Sequence, residues 1–386
     1  MRILEVLDCF YPNYDGPVNV IANLARIINE KGLAEVEILV PDYPKNRVEI
    51  EGVKIHRAPS VKAPEGYRSA VPFVNSKVKN VIKNGNYDLI NCHSCFYLGR
   101  YGVKYGKKYG VPTVMTLHTK YRDDFERIVK LKCLVRFMMR FIMKSINNAD
   151  YMTTVSDGAA KVLREYGFKG KDIEVLRNAT DLPLQSIEKE EKVNLRKEYG
   201  IGDEFLFLFV GRIVENKNVD FSLKVLKAIK DSGETNFKFL IVGKGPYRAK
   251  LEKSVLEYGL KDNVIFTDRV ESREKLAKIY AMSDLFLFPS EFDTCGIVAI
   301  EAAANGLPSV MIDGSCASEL VVHGKNGFKF VNDEKVWAEG LIEIMKNADL
   351  KTISKNAQES VYISWEEATQ KYFDYYLKVL DKTNKK

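Results

Sequence analysis

The stretch LFLFPSEFDTCGIVAIEAAANGLPSVMI, residues 285–312, decides the fold class of this chain. Four apolar residues, 285–288, lead into a polar loop, then an alanine-rich apolar run, then a second short apolar run at 309–312. Short buried strands that alternate with helices are typical of a parallel sheet built from βαβ units. This stretch therefore predicts an α/β protein.

The same alternation continues on both sides of this stretch, in two series of apolar runs. The length of 386 residues suits two domains, each large enough for its own core. A charge-dense stretch, residues 183–202, separates the two series and is interpreted as a linker. Strands are predicted at 3–7, 36–40, 89–92, 113–117 and 151–155, and then at 205–210, 237–242, 264–267, 285–288 and 309–312.

We therefore predict two Rossmann-like, doubly wound α/β domains that face a central cleft. The first spans residues 1–185 and the second residues 186–364. A final aromatic-rich helix, residues 365–386, is predicted to pack back across the domains. The first helix is expected between Pro17 and Gly32, because proline favours a first turn and glycine a helix end.

Charge is unevenly distributed between the two halves. Residues 1–185 carry 29 Lys and Arg against 20 Asp and Glu, whereas residues 186–386 carry 30 against 32. A basic half indicates an anionic partner such as a membrane surface or an acidic substrate, although surplus lysine on a solvated surface gives the same count.

Glu5 and Asp8 interrupt the first apolar run, which favours a strand over a signal peptide. We expect a cytoplasmic protein.

Cysteine usage predicts neither disulfides nor a metal centre. Six cysteines are scattered along the chain, and thiols stay reduced in a cytoplasmic protein. Cys92 and Cys95 form a CxxC pair, but a zinc site needs a second pair of ligands at a suitable spacing. We expect no cofactor and no bound metal.

Two carboxylates, Asp293 and Glu301, flank the start of the helix predicted near Gly296. A helix N-terminus entered through a glycine binds anions, because unpaired N–H groups and the positive end of the helix dipole point at the ligand. A diphosphate fits that description, and a carboxylate suits the paired hydroxyls of a ribose or a sugar. Taken alone, the same loop favours ordinary helix capping, and only the rest of the chain favours an anion site.

Two cations, Arg212 and Lys217, follow the first predicted strand of the second series. Arginine binds phosphate oxygens with two parallel hydrogen bonds, and lysine acts as a point charge. Together they suit a diphosphate that leaves without a metal ion, and the chain contains no Asp-x-Asp pair. Taken alone, the two residues also fit two ordinary surface charges.

In combination these residues resemble the retaining glycosyltransferases of the GT-B fold called family 4, and the resemblance spans nearly the whole chain. Gly16 occupies the family's early glycine loop, with Pro17 at the second glycine position. Gly243 and Gly245 match the loop beside the nucleotide base. The paired-acid motif, two acids with seven residues between them, falls on Asp293 and Glu301.

The resemblance also implies a role for each matched residue and a nucleotide-sugar donor, with a UDP-hexose as first candidate. It implies front-face substitution with retention, in which the departing phosphate helps to deprotonate the acceptor hydroxyl and no protein nucleophile takes part. The implied roles are Arg212 and Lys217 on the diphosphate, the amides of Gly296, Ile297 and Val298 on the phosphates, Glu301 on the ribose, Asp293 on the donor sugar and His118 as the active-site histidine.

Residues 127–144 are the candidate acceptor or membrane contact. Basic residues recur there at i+4 steps with large apolar residues between them. One interpretation is a helix on the anionic inner face of the membrane, and the other is a buried apolar helix with a solvated basic edge. The basic positions are Lys132, Arg136, Arg140 and Lys144, and the apolar ones include Leu134, Phe137 and Phe141.

Residues 118–125 and the Asp-Thr-x-Gly form of the acid motif are similar to bacterial enzymes that glycosylate diacylglycerol. This similarity favours a lipid acceptor, with a cell-surface polysaccharide or a soluble acceptor as the alternative.

Other function classes fit the residues less well. A nicotinamide dehydrogenase requires Gly-x-Gly-x-x-Gly at the first turn, where only Gly16 is found. A nucleic-acid-binding protein has no need of the paired acids, so no nucleic-acid partner is predicted. A nucleotide-sugar 2-epimerase and an inactive nucleotide-sugar-binding protein share the predicted architecture and stay open as alternatives.

Overall fold

The computed structural model describes residues 1–13, 15–63, 67–71, 75–170, 172–184 and 187–385. The chain forms two compact units. The first comprises Met1–Asn178 and Ser364–Lys386, and the second comprises Ala179–Ile363. The sequence placed the corresponding boundaries at residues 185 and 364.

Strands and helices alternate along most of the chain. The strands are β1 Arg2–Val6, β2 Glu35–Pro41, β3 Lys54–Ala58, β4 Ser60–Lys62, β5 Arg68–Ala70, β6 Leu89–Cys92, β7 Thr113–Leu117, β8 Tyr151–Thr154, β9 Glu174–Val175, β10 Phe205–Val210, β11 Phe237–Val242, β12 Val264–Thr267, β13 Leu285–Phe288, β14 Ser309–Ile312 and β15 Gly327–Phe330. The helices are α1 Gly16–Glu30, α2 Asn75–Gly85, α3 Tyr97–Tyr109, α4 Tyr121–Ile128, α5 Lys132–Ile146, α6 Asp157–Glu165, α7 Lys189–Glu198, α8 Val219–Asp231, α9 Arg248–Glu257, α10 Arg273–Met282, α11 Ile297–Ala304, α12 Glu334–Asn347, α13 Leu350–Ser360 and α14 Trp365–Asn384.

Each unit is built around one parallel sheet. In the first unit the strand order is β3-β2-β1-β6-β7-β8-β9, and in the second it is β12-β11-β10-β13-β14-β15. The neighbouring strands of both sheets pair in parallel, while β4 and β5 form a separate antiparallel pair. The prediction of two Rossmann-like α/β domains is confirmed.

The strand order of each sheet reverses at one place, between β1 and β6 in the first unit and between β10 and β13 in the second. Ligands of such sheets bind beyond the carboxyl ends of the strands at this reversal. The segments that follow β10 and β13 therefore lie side by side in the second unit. The segments that follow β1 and β6 do the same in the first.

The strands of the second sheet carry apolar side chains on both faces of the sheet. Phe207, Phe209, Phe239 and Phe286 are completely buried, as expected for parallel strands covered by helices on each side. Because every side chain of these short runs is removed from water, the runs read as continuous rather than alternating apolar stretches. This property made the strands of the second unit easy to recognise in the sequence.

The prediction that residues 183–202 form a linker is wrong, because α7 lies within them. Leu195 and Arg196 of this helix are buried. The guanidinium of Arg196 donates to the carbonyl of Met282 at 3.0 Å and to the carboxylate of Asp284 at 2.5 Å. The many charged residues of α7 made the segment resemble a linker. Its buried leucine and its ion-paired arginine nevertheless attach the helix to the second unit.

The first and last helices both belong to the first unit. Helix α1 ends at Glu30 and is followed by Gly32 in the left-handed conformation, φ 64°, which confirms the predicted start and stop. In α14, Tyr372, Phe373 and Tyr376 are buried. The hydroxyl of Tyr372 donates to the carbonyl of Leu176 at 3.3 Å. The last helix therefore contacts the segment of the first unit that directly precedes Ala179, where the second unit begins.

Glu37 of β2 is a buried carboxylate with four polar neighbours. Its oxygens lie 2.6 Å from Arg2 Nη2, 3.0 Å from Lys54 Nζ, 2.6 Å from His56 Nε2 and 2.5 Å from Tyr87 Oη. Burial opposes ionisation, but these hydrogen bonds outweigh it and lower the pKa of Glu37 from 4.5 to about 2. The ionised carboxylate therefore stabilises the folded state above pH 4.5, and this contribution is lost as the pH falls toward 2.

Glu37→Gln is expected to lower the free energy of unfolding by about 3 kcal/mol at pH 7, because it leaves cations without their buried partner. Urea unfolding of both proteins at pH 7 and at pH 3 checks the sign. The difference between wild type and variant should shrink at the lower pH. A difference that is equal at both pH values would contradict the assigned role of the ionised carboxylate.

Candidate functional site

The glycines after β10 and β11 allow two loops of the second unit to lie in direct backbone contact. Ile213 N donates to the carbonyl of Lys244 at 2.9 Å. A Cβ atom at Gly243 would lie 1.9 Å from the carbonyl oxygen of Gly211, and one at Gly245 would lie 2.0 Å from that of Ile213. The structure thus places the predicted donor-binding glycines beside the loop that carries Arg212, where close packing requires them.

Lys217 and Asp293 form an ion pair at the reversal of the second sheet. Lys217 Nζ lies 2.6 Å from Asp293 Oδ1, and the hydroxyl of Ser290 donates to Asp293 Oδ2. About one fifth of each of the two charged side chains is exposed. Because an ammonium has three donors, Lys217 can hold Asp293 and still donate to an anion.

Arg212 is exposed on the same loop as Lys217. The structure therefore brings the predicted diphosphate residues Arg212 and Lys217 to one edge of the sheet, with Asp293 beside them. Ser290 was not predicted, although a serine two residues after the end of strand β13 was a usable signal.

Gly296 is the N-cap residue of helix α11, which starts near this glycine as predicted. It adopts the left-handed conformation with φ 64°, and a Cβ atom there would lie 2.8 Å from the Cβ of Ala317, so both backbone and space favour glycine. Ile297 and Val298 form the start of the helix. Their amides belong to the first turn, which has no intrahelical acceptors, and are therefore suited to an anion.

Glu301 lies one turn further along α11 and is 7% exposed. Its carboxylate accepts from Arg273 Nη2 at 3.0 Å and from the hydroxyl of Tyr280 at 3.0 Å. Arg273 also pairs with Asp181. Burial raises the pKa of Glu301 above its ordinary value, and the charge of Arg273 acts in the opposite direction.

Asp293 and Glu301 therefore have different partners, although they belong to one loop and helix. Lysine and serine hold the first, whereas arginine and tyrosine hold the second. Arg273 and Tyr280 were not predicted from the sequence, because both come from α10, a helix without a recognisable motif.

His118 lies in the first unit, directly after β7, and is 7% exposed. Its Nε2 is 2.8 Å from Nδ1 of His93, and the two rings stack with centroids 5.0 Å apart. Burial, and then the nearby His93, lower the pKa of His118 well below its ordinary value. The imidazole of His118 is therefore neutral at pH 7.

Gly16, which was predicted to bind the donor, is the first residue of α1 in the first unit. The neighbouring helix α3 begins differently, because Asp8 accepts from its amides: Leu98 N donates to Asp8 Oδ1 at 2.7 Å. A carboxylate of the chain thus already caps α3, whereas α1 begins at the glycine that the sequence analysis identified.

Helix α5 combines features of both interpretations of residues 127–144. Val135, Met139 and Ile142 are buried against the first unit. Other apolar residues are exposed among the basic residues, and 67% of Phe137 is accessible. We call these exposed apolar and basic residues together the α5 surface; it consists of Leu131, Lys132, Leu134, Arg136, Phe137, Arg140, Phe141 and Lys144.

Arg100 of α3 adds a further cation to the α5 surface, with its guanidinium 4.3 Å above the ring of Phe141.

None of the helices within the described ranges combines the length and the apolar character that crossing a bilayer requires.

Comparison with known proteins gives consistent matches over nearly the whole chain. Residues 14–183 match the family described as Glycosyltransferase Family 4, and residues 191–360 match Glycosyl transferases group 1. An alpha-monoglucosyldiacylglycerol synthase of Acholeplasma laidlawii is 29% identical over 403 aligned residues, which cover 100% of this chain and 99% of the relative.

A second relative and a solved structure agree with these matches. An N-acetyl-alpha-D-glucosaminyl L-malate synthase of Bacillus anthracis is 28% identical over 80% of each chain. The crystal structure of Anabaena HepE in complex with UDP superposes with a TM-score of 0.80 at 18% identity, covering 97% of this chain and 99% of that one.

Proposed function

Because the chain belongs to the GT-B glycosyltransferases of family 4, we propose that it transfers a hexose from a nucleoside diphosphate sugar to a hydroxyl of a membrane glycerolipid such as diacylglycerol. A UDP-hexose is the first candidate donor, and the configuration of the anomeric carbon is retained. The observation that carries the lipid acceptor is the α5 surface, where exposed aromatic and basic side chains alternate.

The second unit supplies the donor contacts in this proposal. Arg212 and Lys217 bind the diphosphate together with the first amides of α11, and Glu301 accepts from the ribose hydroxyls. Asp293 accepts from a hydroxyl of the sugar, since Lys217 and Ser290 hold its carboxylate in position. The side chains of Lys217, Asp293 and Glu301 each have a partner within the protein that holds them in place.

Departure of the diphosphate places negative charge where these cations and the helix dipole lie. Preorganised charges of this kind stabilise a transition state without further rearrangement. A divalent metal ion is therefore not required in the proposed mechanism. The departing phosphate accepts the acceptor proton on the same face of the sugar, and the acceptor oxygen bonds to that face, which retains the configuration.

The first unit supplies the acceptor contacts. A buried Leu or Phe side chain contributes about 1.5–3 kcal/mol, and each Lys or Arg near an anionic leaflet contributes about 1 kcal/mol. The α5 surface offers both kinds of side chain within one helix. It can therefore hold the enzyme at a membrane that contains the acceptor lipid.

The double variant Leu131→Ser, Phe137→Ser is expected to bind anionic vesicles at least about 10-fold more weakly, because it removes two exposed apolar groups from the α5 surface. Transfer to diacylglycerol in those vesicles should fall with binding. Vesicle co-sedimentation and transfer assays measure the two effects. Leu256→Ser, which changes a leucine that is 64% exposed on α9, is the matched control.

Nucleotide binding by the double variant should remain at the wild-type level, because both changed residues lie outside the second unit. Unchanged vesicle binding together with efficient transfer to a soluble saccharide or hydroxy acid would contradict the lipid acceptor. That result would leave the donor half of the proposal in place.

A further inference from the structure

Three titratable side chains form a buried hydrogen-bonded chain that ends at His118. Glu5 lies in β1, His93 follows β6 and His118 follows β7, which are consecutive strands of the first sheet. Glu5 Oε2 is 2.6 Å from His93 Nε2, and His93 Nδ1 is 2.8 Å from His118 Nε2. Glu5 is completely buried and His93 is 1% exposed.

The other oxygen of Glu5 also has a partner. The hydroxyl of Tyr376, from α14, donates to Glu5 Oε1 at 2.8 Å. Asn91 Nδ2 donates to the Tyr376 oxygen at 2.8 Å, and Asn91 Oδ1 accepts from the hydroxyl of Thr116 at 2.9 Å. A fully buried carboxylate with donors on both oxygens is fixed in position and orientation.

The contacts favour one arrangement of the protons in this hydrogen-bonded chain. His93 Nε2 has two neighbours, Glu5 at 2.6 Å and the amide of Asn91 at 2.9 Å. The full charge of a carboxylate outweighs an amide dipole, so His93 carries its proton on Nε2 and donates it to Glu5. His93 Nδ1 is then an acceptor, and it accepts the Nε2 proton of His118. His118 Nδ1 consequently carries a lone pair.

We propose that Glu5 and His93 are positioning residues, which hold His118 in the Nε2-protonated tautomer so that its Nδ1 accepts a hydrogen bond from a substrate hydroxyl. The inference rests on the proposed transfer function, in which both the donor sugar and the acceptor present hydroxyls. A histidine without this chain exchanges between tautomers, and the other tautomer presents an N–H group to the hydroxyl. Glu5 and His93 act only through His118.

The tautomer is measurable without any turnover. The chain contains four histidines, so the imidazole nitrogens of ¹⁵N-labelled protein can be assigned by single substitution. His118 is expected to show a protonated Nε2 and an unprotonated Nδ1 at pH 7 in the wild type. In Glu5→Gln the His118 signals should move toward a mixture of tautomers. Protonation of His118 at Nδ1, or at both nitrogens, in the wild type would overturn the proposal.

Kinetics provide the second test, with a matched control inside the same unit. Glu5→Gln and His93→Gln are each expected to reduce kcat about 10- to 100-fold, while the donor KM stays within about twofold. His56→Gln removes a carboxylate–imidazole contact of the same 2.6 Å length, to Glu37, and should leave kcat unchanged. Thermal melting and nucleotide binding verify that each variant is folded.

Equal losses of kcat in Glu5→Gln and His56→Gln would overturn the positioning role, because a general loss of packing would then explain both. If the wild-type protein transfers no sugar at all, the proposed function fails. The tautomer of His118 would still be decided by the spectrum, so the two failures are distinguishable.

Discussion

Lys217→Ala is expected to reduce kcat for sugar transfer about 100- to 1,000-fold, the usual cost of removing one preorganised charge from a developing anion. The ammonium also holds Asp293 at 2.6 Å, so its loss leaves the carboxylate with the Ser290 hydroxyl. Both effects act on the step in which the diphosphate departs. Steady-state kinetics with saturating donor measure the change.

Lys224→Ala is the matched control for this variant. Lys224 is a lysine of the same unit that pairs with a carboxylate, Glu334, at 3.2 Å, and it is 43% exposed. It should retain wild-type kcat. A loss of less than about threefold in Lys217→Ala would show that the leaving diphosphate is neutralised elsewhere.

Glu301→Gln is expected to reduce kcat/KM for the donor about 100-fold, because an amide replaces an ionised acceptor of charge-assisted hydrogen bonds at the ribose. The substitution keeps the volume of the side chain and an oxygen for the hydroxyl of Tyr280. Glu291→Gln, an exposed residue in the loop before α11, is the control. It should leave kcat/KM unchanged.

The same residue predicts the acid limb of the pH profile. Burial raises the pKa of Glu301 above its ordinary value of 4.5, so its carboxylate becomes protonated while an exposed glutamate is still ionised. Wild-type kcat/KM for the donor should therefore begin to fall at a pH above 4.5. In Glu301→Gln this limb should disappear. An identical limb in both proteins would assign it to another group.

Ionisation of Glu301 has the opposite effect on the free energy of unfolding to ionisation of Glu37. Because the pKa of Glu301 is higher in the folded than in the unfolded chain, its ionisation at neutral pH costs stability. Glu301→Gln is therefore not expected to lower Tm, although it lowers activity. A loss of activity that accompanies a large fall in Tm would instead point to a structural role.

The sequence was sufficient for strands whose side chains are buried on both faces. β10, β11 and β13 lie within the predicted bounds, because continuous apolar runs mark covered parallel strands. β3, which reads KIHRA, was missed, since this edge strand has one fully buried residue. β9 was missed because two residues are too few to form a pattern.

The candidate site was predictable where its residues belong to local motifs and unpredictable where they meet through the fold. Arg212 and Asp293 each follow a strand end, and topology then places them on one edge of the second sheet. Glu5 and Arg273 have no motif, and their contacts join residues 88 and 28 positions apart. An acid inside an apolar first strand was nevertheless a signal, because a buried carboxylate requires partners.

The character of α5 depended on neighbours that the sequence does not specify. Its apolar residues occupy two faces, and helical periodicity alone does not show which face a neighbouring element covers. Met139 and Phe137 have similar hydrophobicity, yet the first is 7% exposed and the second 67%. Neighbouring elements of the first unit cover Met139 and leave Phe137 accessible to solvent.

The central claim is metal-independent transfer of a hexose to a lipid with retention. Its most direct test is incubation of the purified protein with UDP-hexoses and EDTA, with and without diacylglycerol in anionic vesicles, followed by NMR analysis of the anomeric configuration of the product. We expect release of UDP that depends on the lipid, together with an α-linked glycolipid from an α-linked donor. A β-linked product, a strict need for a divalent metal ion, or no turnover of any nucleotide sugar would contradict it.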